Sequence, residues 1–277
     1  MELSIGFSTC PNDTFIFYAL VNNKIDTKGM RFHAILKDVE ELNSLAFRGT
    51  LDITKVSYHT VGYILDEYCL LRSGGALGRG CGPLLVARER LSPQSLRDKK
   101  IAIPGVYTTA HLLLKLYDPD IARQVVAMPF FEIMRSLQKG DVDAGLIIHE
   151  GRFTYPSYGL KEIVDLGQWW EEVTGLPIPL GGIVAKRFLG KDRLLEIEKL
   201  IIKSIDYAYS HPEEVMPYIK SHAQEMEEEV IKQHISLYVN EFSLDPGEEG
   251  IKSIEYLLKR AAEIGILPHS KKPVFCT

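Results

Sequence analysis

The sequence predicts an α/β protein of two similar lobes, each a mostly parallel sheet flanked by helices, with a ligand cleft between them. Three observations carry this. Short β-rich runs alternate with helical patterns from the first residues onward, and β–α–β order implies parallel strands with helices on the sheet faces. The same order restarts after "RLSPQSLRDKK". Finally, "FRGTLDITKVSYH" and "QKGDVDAGLIIHE" share a helix-ending Arg/Lys-Gly, an Asp and a strand, with Gly49 and Gly140, and Asp52 and Asp143, at a constant offset of 91.

In order, "LSIGFS" reads as a strand, "DTFIFYALVNN" as a helix, "RFHAILKD" as a strand, "VEELNSLAFRG" as a helix and "LDITKVS" as a strand, and "YHTVGYILDEY" opens the next helix. Gly49 and Gly140 suit the left-handed position that ends a helix. The second series reads strand "IAIPG", helix "TTAHLLLKLYD", strand "QVVAMPF", helix "EIMRSLQKG" and strand "VDAGLIIHE". Two further β-like runs, "PLLVARE" and "LGGIVAKRF", serve as crossing strands. They divide the chain into a first lobe of residues 1–88 and 184–277 and an inserted lobe of residues 89–183. Four amphipathic helical patterns follow, from "RLLEIEKL" to "EYLLKRAAEIG", and the acidic run Glu225–Glu229 reads as a solvated helix face. The tail "KKPVFCT" either packs as a strand or trails.

At 277 residues, 45% hydrophobic and 25% charged, the chain has room for one large domain or two modest ones. A net charge of −5 supplies no basic field for nucleic acid or an anionic membrane, so a bound anion needs local devices. No apolar run reaches membrane-spanning length. Cys10, Cys69, Cys81 and Cys276 form no CxxC pair and no zinc-type cluster, a usage that fits a reducing cytosol. The start "MELSIGFSTCPND" lacks the basic and long apolar regions of a signal peptide, so a cytoplasmic location is expected. No element advertises an oligomer interface.

The strand-to-helix junctions "STCPNDTF", "KVSYHT" and "PGVYTTAH" place small polar residues where helices begin. Asn12, Asp13, Ser57, Thr108 and Thr109 there either cap the helix or leave its N–H donors for an anionic ligand, and three such junctions around one crevice favour an anionic small-molecule substrate. Lys55 adds a cation beside Ser57. His149 ends the strand that corresponds to "DITKVS" in the first series. A lone histidine is ordinarily a satisfied structural residue, but one at a strand end facing a cleft can stay neutral and act as a general base. An ordinary imidazole there gives an ionisation between about pH 5 and 7.5. His59 and His111, in first helical turns, are secondary candidates to line the site, and His211, His222, His234 and His269 are placed away from it. The glycine-rich "SGGALGRGCGP" matches neither a P-loop nor a dinucleotide turn and reads as close backbone packing beside the first crossing strand or as approach to a flat ligand. Cys10 and Cys81 have no sequence partner to activate them as nucleophiles. No metal-ligand spacing is present, and no cofactor is expected.

The stretches "STCPNDTFIFYAL", "DITKVSYHTV", "GGALGRGCGPLLVAR", "AIPGVYTTAHLLL" and "VDAGLIIHEGRFTY" resemble the 1,4-dihydroxy-6-naphthoate synthases of the futalosine route to menaquinone, over nearly the whole chain. The resemblance implies a fold like that of type II periplasmic binding proteins. It also implies a substrate, cyclic dehypoxanthine futalosine, converted to 1,4-dihydroxy-6-naphthoate with release of a small sugar-derived fragment. It places substrate binding at Lys55, Val56 and Ser57 and at Thr109 and Ala110, and the proton acceptor at His149; capping geometry adds Thr108 and Asn12. The rival readings are a small-molecule (carboxylate) binding protein of the same fold and a chorismate dehydratase, and fold alone does not choose among them.

Overall fold

The structure, a computed structural model, describes residues 1–224 and 227–276, so Glu225 of the acidic run lies outside the described residues. The first alternation forms as expected: β1 (Glu2–Phe7), α1 (Pro11–Val21), β2 (Arg31–Leu36), α2 (Val39–Phe47), β3 (Ile53–Ser57) and α3 (Tyr58–Ile64). Two short strands follow, β4 (Tyr68–Leu70) and β5 (Ala76–Gly78). The second series runs β6 (Leu84–Ala87), β7 (Ile101–Ile103), α4 (Thr109–Tyr117), β8 (Val125–Ala127), α5 (Phe130–Lys139), β9 (Ala144–Ile147), α6 (Gly151–Thr154), β10 (Lys161–Asp165) and α7 (Leu166–Thr174). The chain returns through β11 (Ile178–Lys186) into α8 (Lys191–Ser210), α9 (Pro212–His222), α10 (Glu228–Tyr238), α11 (Glu241–Leu244) and α12 (Gly247–Glu263). No helix among the described residues is long and apolar enough to cross a membrane.

Two mixed sheets result. The first has the order β2-β1-β3-β11-β4, with β5 also on β11, and the second, read the same way, is β8-β7-β9-β6-β10. In each, three strands run parallel and the fourth is antiparallel to its neighbour. The repeat read between residues 49–57 and 140–148 is therefore structural: β3 and β9 hold the same place in their sheets. Gly140 ends α5 at φ 80°, and Gly49 follows α2 at φ 61°.

The fourth strands exchange places along the chain. The expected boundaries at 88/89 and 183/184 put β6 with the first sheet and the start of β11 with the second; strand pairing assigns β6 to the second sheet and all of β11 to the first. The crossings are residues 79–83 and 175–177. Both strands are buried along most of their length, so neither shows the alternation that would reveal its sheet. β10 escaped notice for the opposite reason, being a charged edge strand with an exposed start. The glycine run does provide close packing, since a β-carbon at Gly82 would run into the backbone of Gly167.

Apolar packing explains how the sheets meet. Val56, Tyr58 and Val61 of the first half share one buried cluster with Leu112, Leu113, Leu146 and Trp170 of the second. α1 is buried from Pro11 to Leu20 and packs against α8, α9 and α10. A helix apolar on every face belongs inside. Its polar first turn, Asn12 and Asp13, is carried under cover with it.

The cysteine reading is corrected. Cys69 and Cys276 form a disulfide across 207 residues of sequence, which no local spacing could announce, and only Cys10 and Cys81 among the described cysteines are free. The tail does not trail: Leu70 N–H donates to Val274 O (2.8 Å), and Cys276 N–H donates to Leu70 O (3.0 Å). A cross-link spanning so long a loop removes much unfolded-state entropy. Reducing it, or making Cys276→Ser, should lower unfolding free energy by about 2–5 kcal/mol in urea titrations, with the native far-UV circular dichroism kept.

Candidate active site

The end of β3, the residues just beyond β1 and β9, and the starts of α1 and α4 converge on a cavity of about 80 Å³. Asn12, Lys55, Val56, Ser57, Thr108, Thr109, Ala110 and His149 all line it, joined by Ser8, Asp13, Cys81 and Tyr238. These eight principal candidates are thus brought to one place, from both halves of the molecule. Small-molecule pockets are typically about 300–1,000 Å³, so the two walls stand closed on each other. Hydrogen bonds across the seam hold them: Tyr58 N–H to Thr109 Oγ1 (2.8 Å), Thr109 Oγ1 to Leu180 O (2.5 Å) and Tyr107 N–H to Glu40 Oε1 (3.0 Å).

The polar residues do not all have the freedom that their sequence positions suggest. Lys55 is not an open cation: its Nζ lies 3.1 Å from Asp13 Oδ1, with the two side chains 7% and 3% exposed, and donates to Gly74 O at 2.8 Å. Asp13 accepts in addition from Ser8 N–H (3.1 Å), Ser8 Oγ (2.8 Å) and Asn12 Nδ2 (3.0 Å). Thr108 is a cap, accepting from His111 N–H at 3.3 Å. Ser57 N–H is taken by Asn43 Oδ1 at 3.0 Å. Thr109 and Ala110 are the first two residues of α4, where backbone N–H groups have no acceptor within the helix.

His149 stands just beyond β9 with φ 54°, a left-handed turn that is uncommon for a side chain other than glycine and turns the ring out of the strand. The turn is fastened by Arg152, which donates to Gly82 O (2.8 Å) and to Asp165 Oδ2 (2.5 Å). Burial pushes the His149 imidazole down to about 4; Asp13 opposes the shift and Lys55 adds to it. That is below the range expected for an ordinary imidazole, because desolvation penalises the cation. The ring is therefore a neutral base at pH 7. Burial also pushes the carboxyl of the next residue, Glu150, up to about 7, but that residue lines a separate pocket with Phe130 and Gly151 and not the cavity.

His59 and His111 do not line the cavity. Their rings meet edge-on, with centroids 6.4 Å apart, where α3 meets α4, and burial pushes them down to about 3 and about 4. Placing His234 away from the site is corrected as well: it is fully buried, donates from Nε2 to Asn12 Oδ1 (2.9 Å) and stacks on His149. The signal was its position in α10, on the same apolar stripe as Ile231, Ile235 and Tyr238. Cys81 lines the cavity, yet burial pushes its thiol up to about 12, and Cys10 is also driven up by burial, so neither is poised as a nucleophile. Among the described residues no group of three or more His, Cys, Asp or Glu is arranged to hold a metal ion.

Comparison with known proteins gives this cavity its family. Residues 3–263 match the menaquinone biosynthesis family. The chain belongs to that family. Within it, the chain is 48% identical over 273 residues to 1,4-dihydroxy-6-naphthoate synthase of Thermus thermophilus, covering 99% of this chain and 98% of that protein. It is 46% identical to the Streptomyces coelicolor protein of the same name, covering 96% and 95%. A crystal structure of an Archaeoglobus fulgidus protein superposes with a TM-score of 0.90 at 34% identity, covering 96% of this chain and 98% of the other. The alkanesulfonate-binding protein of Xanthomonas axonopodis pv. citri shares the fold at a TM-score of 0.72 and 11% identity, covering 97% and 94%. The menaquinone biosynthesis chain therefore has the periplasmic-binding-protein fold that its motifs implied.

The Asp13–Lys55 pair lends itself to measurement. Asp13→Ala should leave a buried ammonium unpaired and cost about 3–5 kcal/mol in chemical denaturation, whereas Asp13→Ala combined with Lys55→Met should recover part of that loss.

Proposed function

We propose that this menaquinone biosynthesis enzyme is a carbon–carbon lyase that converts cyclic dehypoxanthine futalosine to 1,4-dihydroxy-6-naphthoate, with His149 as proton acceptor. The observation that carries the reading is the convergence of the eight candidate residues, from both halves of the molecule, on one cavity that holds a neutral imidazole. The names of the Thermus and Streptomyces relatives support it. His149 would take a proton from the bound substrate, and the charge developing on oxygen would meet donors at the start of α4, from Thr109 and Ala110, and the Ser57 hydroxyl. Because Lys55 is neutralised by Asp13, the anionic end of the substrate is held by these neutral donors. No cofactor is needed for such proton transfers.

In this reading substrate enters when the seam between the sheets opens about residues 79–83 and 175–177, and closure expels water. In this reading the enzyme acts in the cytoplasm, although the cysteine argument for that location falls with the disulfide. A binding protein of the same fold would hold its ligand unchanged.

Purified protein mixed with cyclic dehypoxanthine futalosine should generate naphthoate absorbance, and chorismate should give no turnover. Turnover of neither would favour the binding-protein reading. His149→Asn should lose about 10²–10⁴-fold in kcat while still binding substrate. In the parent, kcat/KM should be level near neutrality and fall only as pH drops through about 4, where His149 takes its proton. Ser57→Ala should raise KM, with kcat/KM falling about ten- to a hundredfold if the lost hydrogen bond is charge-assisted.

A further inference from the structure

A general base needs a fixed ring as well as a suitable proton affinity, and in catalytic histidines a third group usually supplies the orientation. His149 lacks such a hydrogen bond: among the described residues, none is made to its side-chain nitrogens. Two ring contacts orient it instead. Phe130 at the start of α5 meets it edge-on, with centroids 5.1 Å apart and planes at 64°. His234 lies nearly parallel to it, with centroids 6.1 Å apart and planes at 16°. Phe130 belongs to the same half of the molecule as His149. His234 comes from α10, in the C-terminal helices packed on the other half.

His234 is itself held firmly. It is 0% exposed, and its Nε2–H is fixed on Asn12 Oδ1 (2.9 Å), whose amide in turn donates to Asp13 Oδ1 (3.0 Å), the carboxylate paired with Lys55. Its ring also packs against Tyr238 at 4.7 Å. Its Nδ1 is buried with no partner, an arrangement that costs free energy and that an apolar side chain would avoid.

We propose that His234 is a positioning residue: its ring, pinned by Asn12, is the flat wall against which closure of the two halves sets the half-buried His149 imidazole and covers one of its faces. The inference rests on the reading of His149 as the base. It makes the base complete only in the closed enzyme, because the ring and its wall come from opposite sides of the seam. The charged and titratable groups around the pair are Asp13 of α1 and Lys55 of β3, which act on His149 in opposite senses, Glu150 next to it in the chain, and Tyr238, which burial keeps as the neutral phenol. Asp13 is linked to His234 through Asn12, and replacement by alanine or by phenylalanine breaks that link equally, so the difference between the two variants reads the wall.

The test follows the ionisation of His149 by NMR of its ring Cε1–H, which needs no substrate and stays informative even if the proposed reaction is not the right one. Parent, His234→Ala and His234→Phe proteins are compared, and the phenylalanine keeps a flat ring without nitrogens. In the parent the midpoint is expected at about 4. In His234→Ala, the face that the wall covers is opened to water and the midpoint should rise toward the ordinary imidazole value of about 6.5. In His234→Phe it should stay at the parent value. With substrate, His234→Ala should lower kcat about 10- to 100-fold through misplacement of the base, with KM within about threefold of the parent, and His234→Phe should restore kcat. An unmoved midpoint in the alanine variant would overturn the proposal. So would a phenylalanine variant whose midpoint or kcat departs from the parent, since the imidazole nitrogens rather than the wall would then be what His149 requires; that arm stands even if the alanine variant does not fold.

Discussion

The Asp13 carboxylate is the interaction on which the rest of the site depends. Burying a carboxylate and an ammonium costs several kcal/mol per ion, and the cost is offset only when the pair is close and the remaining lone pairs and protons are satisfied. Here Asp13 collects Lys55, both polar groups of Ser8 and the Asn12 amide, while Lys55 has Gly74 O as its second acceptor. One side chain thereby ties the end of β1, the start of α1, the middle of β3 and the glycine loop to one another. Through Asn12 it reaches His234 on α10. The helix behind it, buried from Pro11 to Leu20 and apolar beyond its first turn, makes this possible, because α1 packs against the C-terminal helices α8, α9 and α10.

The second constraint is the exchange of fourth strands between the sheets. With β6 reached from the first sheet and β11 reached from the second, the chain crosses the seam twice through short segments. The donors at the starts of α3 and α4 face each other across this seam. Thr109 illustrates the consequence: its hydroxyl accepts from the α3 start and donates to β11, so it reads the closed state from three elements. His149 and His234 meet across the same seam. A cavity assembled in this way excludes water when shut, which strengthens every electrostatic contact inside it and keeps the imidazole neutral.

What the sequence determined by itself is local and periodic. The alternation of strands and helices, the left-handed glycines 49 and 140, the polar helix starts and the strand-end position of His149 are short-range consequences of backbone geometry and hydrophobic spacing, so each could be read from a dozen neighbouring residues. The family motifs belong with them, being contiguous words. The tertiary structure decided whatever depends on which distant groups end up adjacent. Cys69 meets Cys276, Lys55 loses its free charge to Asp13, His59 and His111 meet edge-on away from the cavity, and His234 arrives beside His149 from another part of the chain. The same holds for the sheet membership of β6 and β11, whose apolar runs would suit either sheet. The physical reason is common to all of these: ionisation, desolvation and orientation are properties of surroundings, and a buried group's surroundings are set by the packing of segments that the sequence keeps far apart.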